Sequence, residues 1–465
     1  MTAPLDSRRV AVELLTRVER DRSFLEPLLA DRLARTSLSR EEDRRLLTEL
    51  AYGTLRLRNR MDWILNHFYR GKPSSLDLEL RNIIRVGLYQ LFCMDRVPMY
   101  AAVNEAVKMA KRRFSGREGL VNGILRNAAR QKEAIAFPDF DADPLENLTW
   151  YHSHPAWLVR RWIALYGAEE ARELCRANNL TPPLVLRLNR LKGETGEALR
   201  LLDEEGLQAT PTRWSPDGLL LDRGGPLAGR TGLLEGGLFQ AQDEASQMVS
   251  YILAPRPGEV ILDLCSGAGI KATHMAAMME NRGSILAVDL NRRKLEMGRE
   301  RARAMGVTII ESRHADALEL PGDELRGRFD RVLVDAPCSG LGTVRRKPEI
   351  KWFAEGKDLR ELSVLQGRLL QSCEGYLKPG GVLVYATCTM MPEENEKVVR
   401  AFLKNNPSFE IRRPVLPVDE DFVDGEGFFR TLPHRHGTDG FFAALLVKSG
   451  ALRDTVSSQT GPSAR

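Results

Sequence analysis

From residue 7 to about residue 131, apolar positions recur at helical spacing. Val10, Leu14 and Val18 lie four residues apart, as do Leu80, Ile84 and Leu88, which puts each set on one helix face. Ser39, with Glu42 three residues later, reads as a capping box opening a helix through Leu46 and Leu50. Strand-like alternation is absent. The pattern predicts an all-α domain over residues 1–140, of about six or seven helices.

Residues 131–148 are richer in acid and proline and less periodic, as a connector would be. A further helical segment leads to PPLVLRLN at 182–189, a strand candidate, then a helix near 194–205 and a strand at Gly218–Leu221. Residues 141–235 are thus expected to form a helical linker plus a small α/β subdomain. From residue 236 short apolar runs alternate with helices: VILDLC, SILAVDL, VTIIESRHAD, FDRVLVDAPC and GGVLVYATC, with helices at 291–305 and 357–376. Nearly continuous apolar strands joined by helical crossovers predict a doubly wound parallel sheet covered on both faces, an α/β Rossmann-like domain over 236–450. GFFAALLVK at 440–448 adds a late strand, and residues 451–465 read as a flexible tail.

Composition narrows the class. The 465 residues are 43% hydrophobic and 28% charged, the balance of a globular protein. No apolar run approaches the roughly 18 residues of a membrane span, and the start, MTAPLDSRRV, is charged where a signal peptide is apolar. A cytoplasmic protein without membrane partners is expected. Six cysteines without a CxxC pair, and seven histidines, suggest free thiols rather than disulfides or a metal site. The net charge of +5 is uneven: residues 1–140 carry 26 Lys+Arg against 18 Asp+Glu, net +8, which leaves −3 for the rest. A locally basic helical domain is the footprint expected for a polyanion partner, although an arginine-rich surface with no such partner fits the same count.

In a doubly wound sheet, ligands bind at the carboxyl ends of the strands. The first such end gives Asp263 and then Cys265, Ser266, Gly267, Ala268, Gly269, Ile270 and Lys271, a turn of small residues into a helix N-terminus. It is not GxGxxG, which disfavours a dinucleotide. The second ends in Asp289, placed for the hydroxyls of a ribose; the third ends in Asp316, suited to an adenine amino group. Any one of these aspartates alone reads more simply as a helix cap. Together they fit an adenosine ligand without phosphates, and S-adenosylmethionine is such a ligand. The fourth and fifth ends give Asp335-Ala336-Pro337-Cys338 and Ala386-Thr387-Cys388-Thr389, then Pro392-Glu393-Glu394-Asn395. Two strand-end thiols beside a methyl donor suit pyrimidine carbon-5 chemistry, in which a thiolate adds to carbon 6 and makes carbon 5 nucleophilic. A second thiol suits the later elimination.

These segments resemble a known family. FQAQDEASQ, DLCSGAGIKATH, AVDLNRRKL, FDRVLVDAPCSGLGTVRRKPEIKW, YATCTMMPEENEKVV and HGTDGFF resemble the ordered motifs of RNA 5-methylcytosine methyltransferases. VPMYAAVNEAVKMAKR and GLVNGILRN are similar to its bacterial Sun/RsmB branch, which carries a NusB-like helical RNA-binding domain. The resemblance implies a class I methyltransferase domain, S-adenosylmethionine as cofactor, small-subunit ribosomal RNA as partner and a monomer. It implies Cys388 as nucleophile and Cys338 in product release, and it assigns residues 265–271 with Asp289, Asp316 and Asp335 to the cofactor. Asp335 alternatively steadies the target base. Arg345, Arg346 and Lys347 match a stretch near the RNA, where a solvated loop is the competing explanation. The family's first motif usually reads AAPGGK; here Ser266-Gly267-Ala268-Gly269-Ile270-Lys271 replaces it, which changes loop stiffness while keeping Gly269 and Lys271. Transfer RNA as substrate, or a non-catalytic RNA-binding factor, are the rival functions.

Overall fold

Asp6 opens the first helix by accepting a hydrogen bond from Arg8 N, and α1 (Ser7–Asp21) then buries Val10, Leu14 and Val18 on one face. In this computed structural model, which describes residues 6–35, 41–222, 235–320, 322–418 and 422–450, six further helices follow. They are α2 (Leu25–Arg35), α3 (Glu41–Arg56), α4 (Arg58–Phe68), α5 (Leu78–Cys93), α6 (Met99–Arg113) and α7 (Glu118–Arg130). Leu80, Ile84 and Leu88 of α5 are buried as their spacing predicts, with Asp77 capping the helix. Ser39, the expected cap of α3, lies outside the described residues, as does the stretch 451–465. One core runs through all seven helices. Within it Arg85, 3% exposed, is held charged against its burial by Asp62 at 2.6 Å and Glu19 at 2.8 Å.

The segment read as a connector holds more structure than its composition suggests. Lys132–Ala134 form a 3-10 turn, and Asp143 caps a short helix, α8 (Pro144–Trp150), whose first residue is the proline. Pro is tolerated at a first helical position because that N–H has no intrahelical partner. Helices α9 (Ala156–Tyr166) and α10 (Ala168–Asn179) follow. Two compact units divide the chain: residues 1–182 with 343–356 and 433–437, and residues 183–342 with 357–432 and 438–465. In the first, Trp352 and Phe353 pack on the helical core, and Trp352 Nε1 donates to Leu55 O at 2.9 Å.

Among its described residues the second unit holds two sheets. The smaller, in the order β2-β3-β1-β4, comprises β1 (Leu184–Leu188), β2 (Ala209–Pro211), β3 (Gly218–Leu221) and β4 (Phe239–Ala241), with α11 (Thr195–Glu204) between β1 and β2. Residues 239–241 therefore pair with β1, antiparallel, rather than opening the larger sheet. That sheet contains β5 (Val260–Leu264), β6 (Ser284–Asp289), β7 (Ile310–His314), β8 (Phe329–Asp335), β9 (Leu377–Thr387), β10 (Phe409–Arg412), β11 (Phe429–Thr431) and β12 (Phe441–Lys448). Its order is β10-β12-β9-β8-β5-β6-β7, with β11 paired to β12. Helices α12 (Glu244–Leu253), α13 (Ile270–Met278), α14 (Arg292–Ala304) and α16 (Glu396–Asn405) belong to the same unit, as does α15 (Gly356–Ser372) from residue 357 onward.

Strands β5 to β9 pair in parallel, as their apolar runs predict. The sheet is not parallel throughout, because β12 lies antiparallel between β9 and β10. Alternate residues serve two separate cores: Leu262, Leu264, Val332 and Val334 enter one, Ile261 and Leu333 the other. The chain order reverses between β5 and β8, so a crevice for a ligand is expected where their carboxyl ends diverge. Among the described residues no helix is long and apolar enough to cross a membrane.

Candidate active site

The turn after β5 uses backbone conformations that side chains disfavour: φ is 70° at Cys265, 58° at Gly267 and 70° at Gly269. Three groups hold it. Ser266 N donates to Val288 O at 2.8 Å, and Gly267 N donates to Asp289 Oδ2 at 2.8 Å. Asp289 Oδ1 meanwhile accepts Asn291 N at 2.7 Å, so the acid expected at the ribose also fastens the loop to β6. Arg301 of α14 donates to Ala268 O. This tether restrains the carbonyl of Ala268, whose own φ no ring fixes. Arg187 of β1, wholly buried and pushed down to about 9 by that burial, donates to Ile270 O at 2.7 Å and to Thr273 Oγ1 at 3.0 Å.

The loop leaves room above it, since a Cβ added at Gly267 would meet nothing within 4 Å. Beneath it Asp263 is 1% exposed, with no well-formed hydrogen bond to either carboxylate oxygen. Burial pushes this carboxyl up to about 7 despite the nearby Ser266 hydroxyl. An unsatisfied buried acid under an open small-residue turn fits a ligand carrying an amino or cationic group. Asp316 is half-buried beyond β7 and accepts Leu318 N at 2.9 Å.

At the end of β8, Asp335 Oδ2 accepts from Lys271 Nζ at 2.6 Å. Burial lowers the affinity of Lys271 for its proton, but Asp335, with Cys388 adding to its effect, raises it above the usual value. Cys338 Sγ and Cys388 Sγ stand 3.3 Å apart, both half-buried. The hydrogen bond with Cys388, then burial, push the Cys338 thiol well above its usual range. The Cys388 turn is pinned from behind: Gly342 N donates to Cys388 O at 2.9 Å, and Gly440 N donates to Gly342 O at 2.8 Å. A Cβ on Gly342 would lie 1.9 Å from Gly440 O.

Sequence patterns placed Cys265 to Lys271, Asp289, Asp335, Cys338 and Cys388 at strand ends but said nothing of the Lys271–Asp335 pair, the pinning glycines or Arg187. Arg187 lies in an apolar run of a different sheet, and only its charge amid Leu186 and Leu188 sets it apart.

Residues 345–347 belong to the helical unit and divide among themselves. Arg345 is 5% exposed and donates to Gly437 O at 2.8 Å, so its guanidinium is engaged within the protein instead of facing outward. Arg346 is half-buried, and Lys347 is exposed above the Phe24 ring. Nearby in sequence, Lys351 is wholly buried and donates to Arg56 O at 2.9 Å. Burial and the charges of Arg56, Arg58 and Arg60 push it well below its usual range. The same unit carries a cavity of about 630 Å³ lined by Arg9, Arg17, Arg20, Arg112 and Arg113, with Asp6, Glu13 and Glu79 among them.

Comparison with known proteins gives three family matches. Residues 250–447 match the 16S rRNA methyltransferase RsmB/F family, residues 5–130 the NusB family, and residues 154–228 the ferredoxin-like domain of RsmF/B-like methyltransferases. The probable ribosomal RNA small subunit methyltransferase B of Bacillus subtilis is 36% identical, over 95% of this chain and 99% of its own length. The ribosomal RNA small subunit methyltransferase B of an Escherichia coli strain is 35% identical, over 88% and 91%. Among solved structures, that of PH0851 superposes with a TM-score of 0.81 at 28% identity, covering 96% of this chain and all of the other.

Proposed function

The chain belongs to the 16S rRNA methyltransferase RsmB/F family, and from that premise we propose that it methylates carbon 5 of a cytosine in small-subunit ribosomal RNA through a covalent cysteine adduct. The observation that carries this is the pair of thiols 3.3 Å apart beside the Lys271–Asp335 ion pair. Carbon 5 of cytosine is too weak a nucleophile to take a methyl group unaided. Cys388 Sγ, as thiolate, bonds to carbon 6 and the displaced π electrons enrich carbon 5. The TC motif position of Cys388 supports its role as the attacker and leaves Cys338 for the later step.

S-Adenosylmethionine, when bound, supplies the electrophilic methyl group. Residues 265–271 would hold it, with Asp289 and Asp316 toward its ribose and base and Asp263 beneath its charged end. Asp335, whose side chain is 33% exposed, keeps surface for a hydrogen bond to the target base while it holds Lys271. After methylation the proton on carbon 5 must leave, and the carbon 6–sulfur bond breaks as the double bond re-forms. Cys338, within hydrogen-bond distance of Cys388 Sγ, is placed to give its thiol proton to the departing sulfur and to take up the proton released from carbon 5. Lys347 and the net charge of +8 over residues 1–140 support contact with the RNA backbone.

Covalent trapping tests the assignment. Cys388→Ala should lose both 5-methylcytosine formation and any denaturation-resistant protein–RNA species, whereas Cys338→Ala should accumulate that species. An adduct appearing in Cys388→Ala instead would exchange the two roles. Wild-type activity in both variants would reject thiol catalysis.

A further inference from the structure

Glu394 is a carboxylate with 0% exposure, and its four hydrogen-bond donors are all neutral. Its Oε1 accepts from Ser339 N at 2.7 Å and Gln366 Nε2 at 3.1 Å; its Oε2 accepts from Ser339 Oγ at 2.6 Å and Thr389 Oγ1 at 3.0 Å. Desolvating an ion costs several kcal/mol unless its lone pairs are well occupied, so four donors converging here mark a purpose-built socket. What that socket joins is specific. Ser339 immediately follows Cys338, and Thr389 immediately follows Cys388, so one side chain clamps the two turns that carry the thiols. The Ser339 and Thr389 hydroxyls also meet directly at 2.9 Å, and Gln366 extends the clamp to Pro337 O at 3.0 Å.

Glu394 itself is fixed from its own side. Tyr385 OH donates to Glu394 O at 2.6 Å, and the next residue, Asn395, donates to Thr389 O at 3.0 Å while accepting from Thr387 Oγ1. The carboxylate is therefore held by β9 and its turn, and reaches across to the turn after β8. We propose that Glu394 is a positioning residue that sets the register of Cys338 against Cys388, and through it the sequence of attack and elimination. This rests on the two-thiol chemistry above, yet the clamp is a statement about geometry that can be read without turnover.

Glu394→Ala removes both acceptor oxygens and leaves the Ser339 N–H, the Gln366 amide and the two hydroxyls without the partner they share. With the thiols displaced by an ångström or so, kcat should fall on the order of 10²-fold. KM for the RNA and cofactor affinity should stay within about threefold, since Glu394 is wholly buried. The register is read separately by diamide, which oxidises two adjacent thiols to a disulfide while its azo group is reduced to a hydrazine. The Cys338–Cys388 disulfide, mapped by mass spectrometry, should form roughly tenfold more slowly in the variant, as thiol exchange demands close approach. Should Glu394→Ala fail to fold, Thr389 gives the same test: Thr389→Ser should retain wild-type rates and Thr389→Val should lose them. Unchanged disulfide formation and unchanged kcat per folded molecule would overturn the proposal, as would equal losses in kcat and cofactor affinity. An inactive wild-type protein whose disulfide rate still depends on Glu394 would overturn the methylation reading and leave the clamp standing.

Discussion

At the scale of single residues, the most consequential group is Asp263. Its carboxyl sits up at about 7 against an ordinary 3.8 because burial penalises the charge, so the folded protein holds this proton more tightly than the unfolded chain does. The associated stability is fully present below about pH 4 and is lost as pH rises through about 7, a change of about 4 kcal/mol at most for a shift of this size. Melting temperature followed between pH 5 and 8 without cofactor should fall with rising pH, and Asp263→Asn should flatten that fall. An identical slope in the variant would place the titration elsewhere. Strand-end logic found Asp263 because a polar residue closing an apolar run stands out in a sequence. Glu394 stayed invisible for the opposite reason: in PEENE it is one acid among three, and nothing local says which of them turns inward.

Among elements, the turns matter more than the strands they join. Gly342 lies so close to Gly440 that a methyl group there must push the two turns apart and break the bond from Gly342 N to Cys388 O. Gly342→Ala should destabilise the protein by about 1–3 kcal/mol, the usual cost of overpacking, and should lower the yield of covalent adduct. Denaturant titration and adduct quantification check both. The helical repeats of α1 and α5, the strands β5, β6 and β8, and even β3 at Gly218–Leu221 were legible, because each has a periodicity or an apolar run long enough to declare itself. β2 and β4, three residues each, were not; strands so short are defined by their partner rather than by their own pattern. β7 is likewise shorter than the run VTIIESRHAD suggested, starting at Ile310 and stopping at His314, before Asp316. The antiparallel insertion of β12 was also out of reach, since strand direction is a property of the pairing.

For the whole molecule, charge and connectivity decide the outlook. Arg17 and Arg112 line the basic cavity of the helical unit and are exposed. If that surface meets RNA phosphates, replacing both by Gln should weaken RNA binding and reduce the slope of log affinity against log salt by about 1–2 units. Filter binding over a salt series measures this, and an unchanged slope would put the RNA elsewhere. Point substitutions serve better here than removing residues 1–140, because residues 343–356 would lose the partners they bury against. That division was not legible: the sequence showed a basic helical domain followed by an α/β one, whereas the helical unit also takes in 343–356 and 433–437. Lys351 bonds to Arg56 O across 295 positions, and Leu25 N to Glu349 Oε1 across 324. Such contacts form late on a ribosome, which delivers the chain from its N-terminus. The first 182 residues emerge early, yet the apolar surface that Trp352 and Phe353 cover stays bare until some 170 more residues have been made. The domain synthesised first is thus among the last to be finished, and during that interval its bare apolar patch is open to wrong partners.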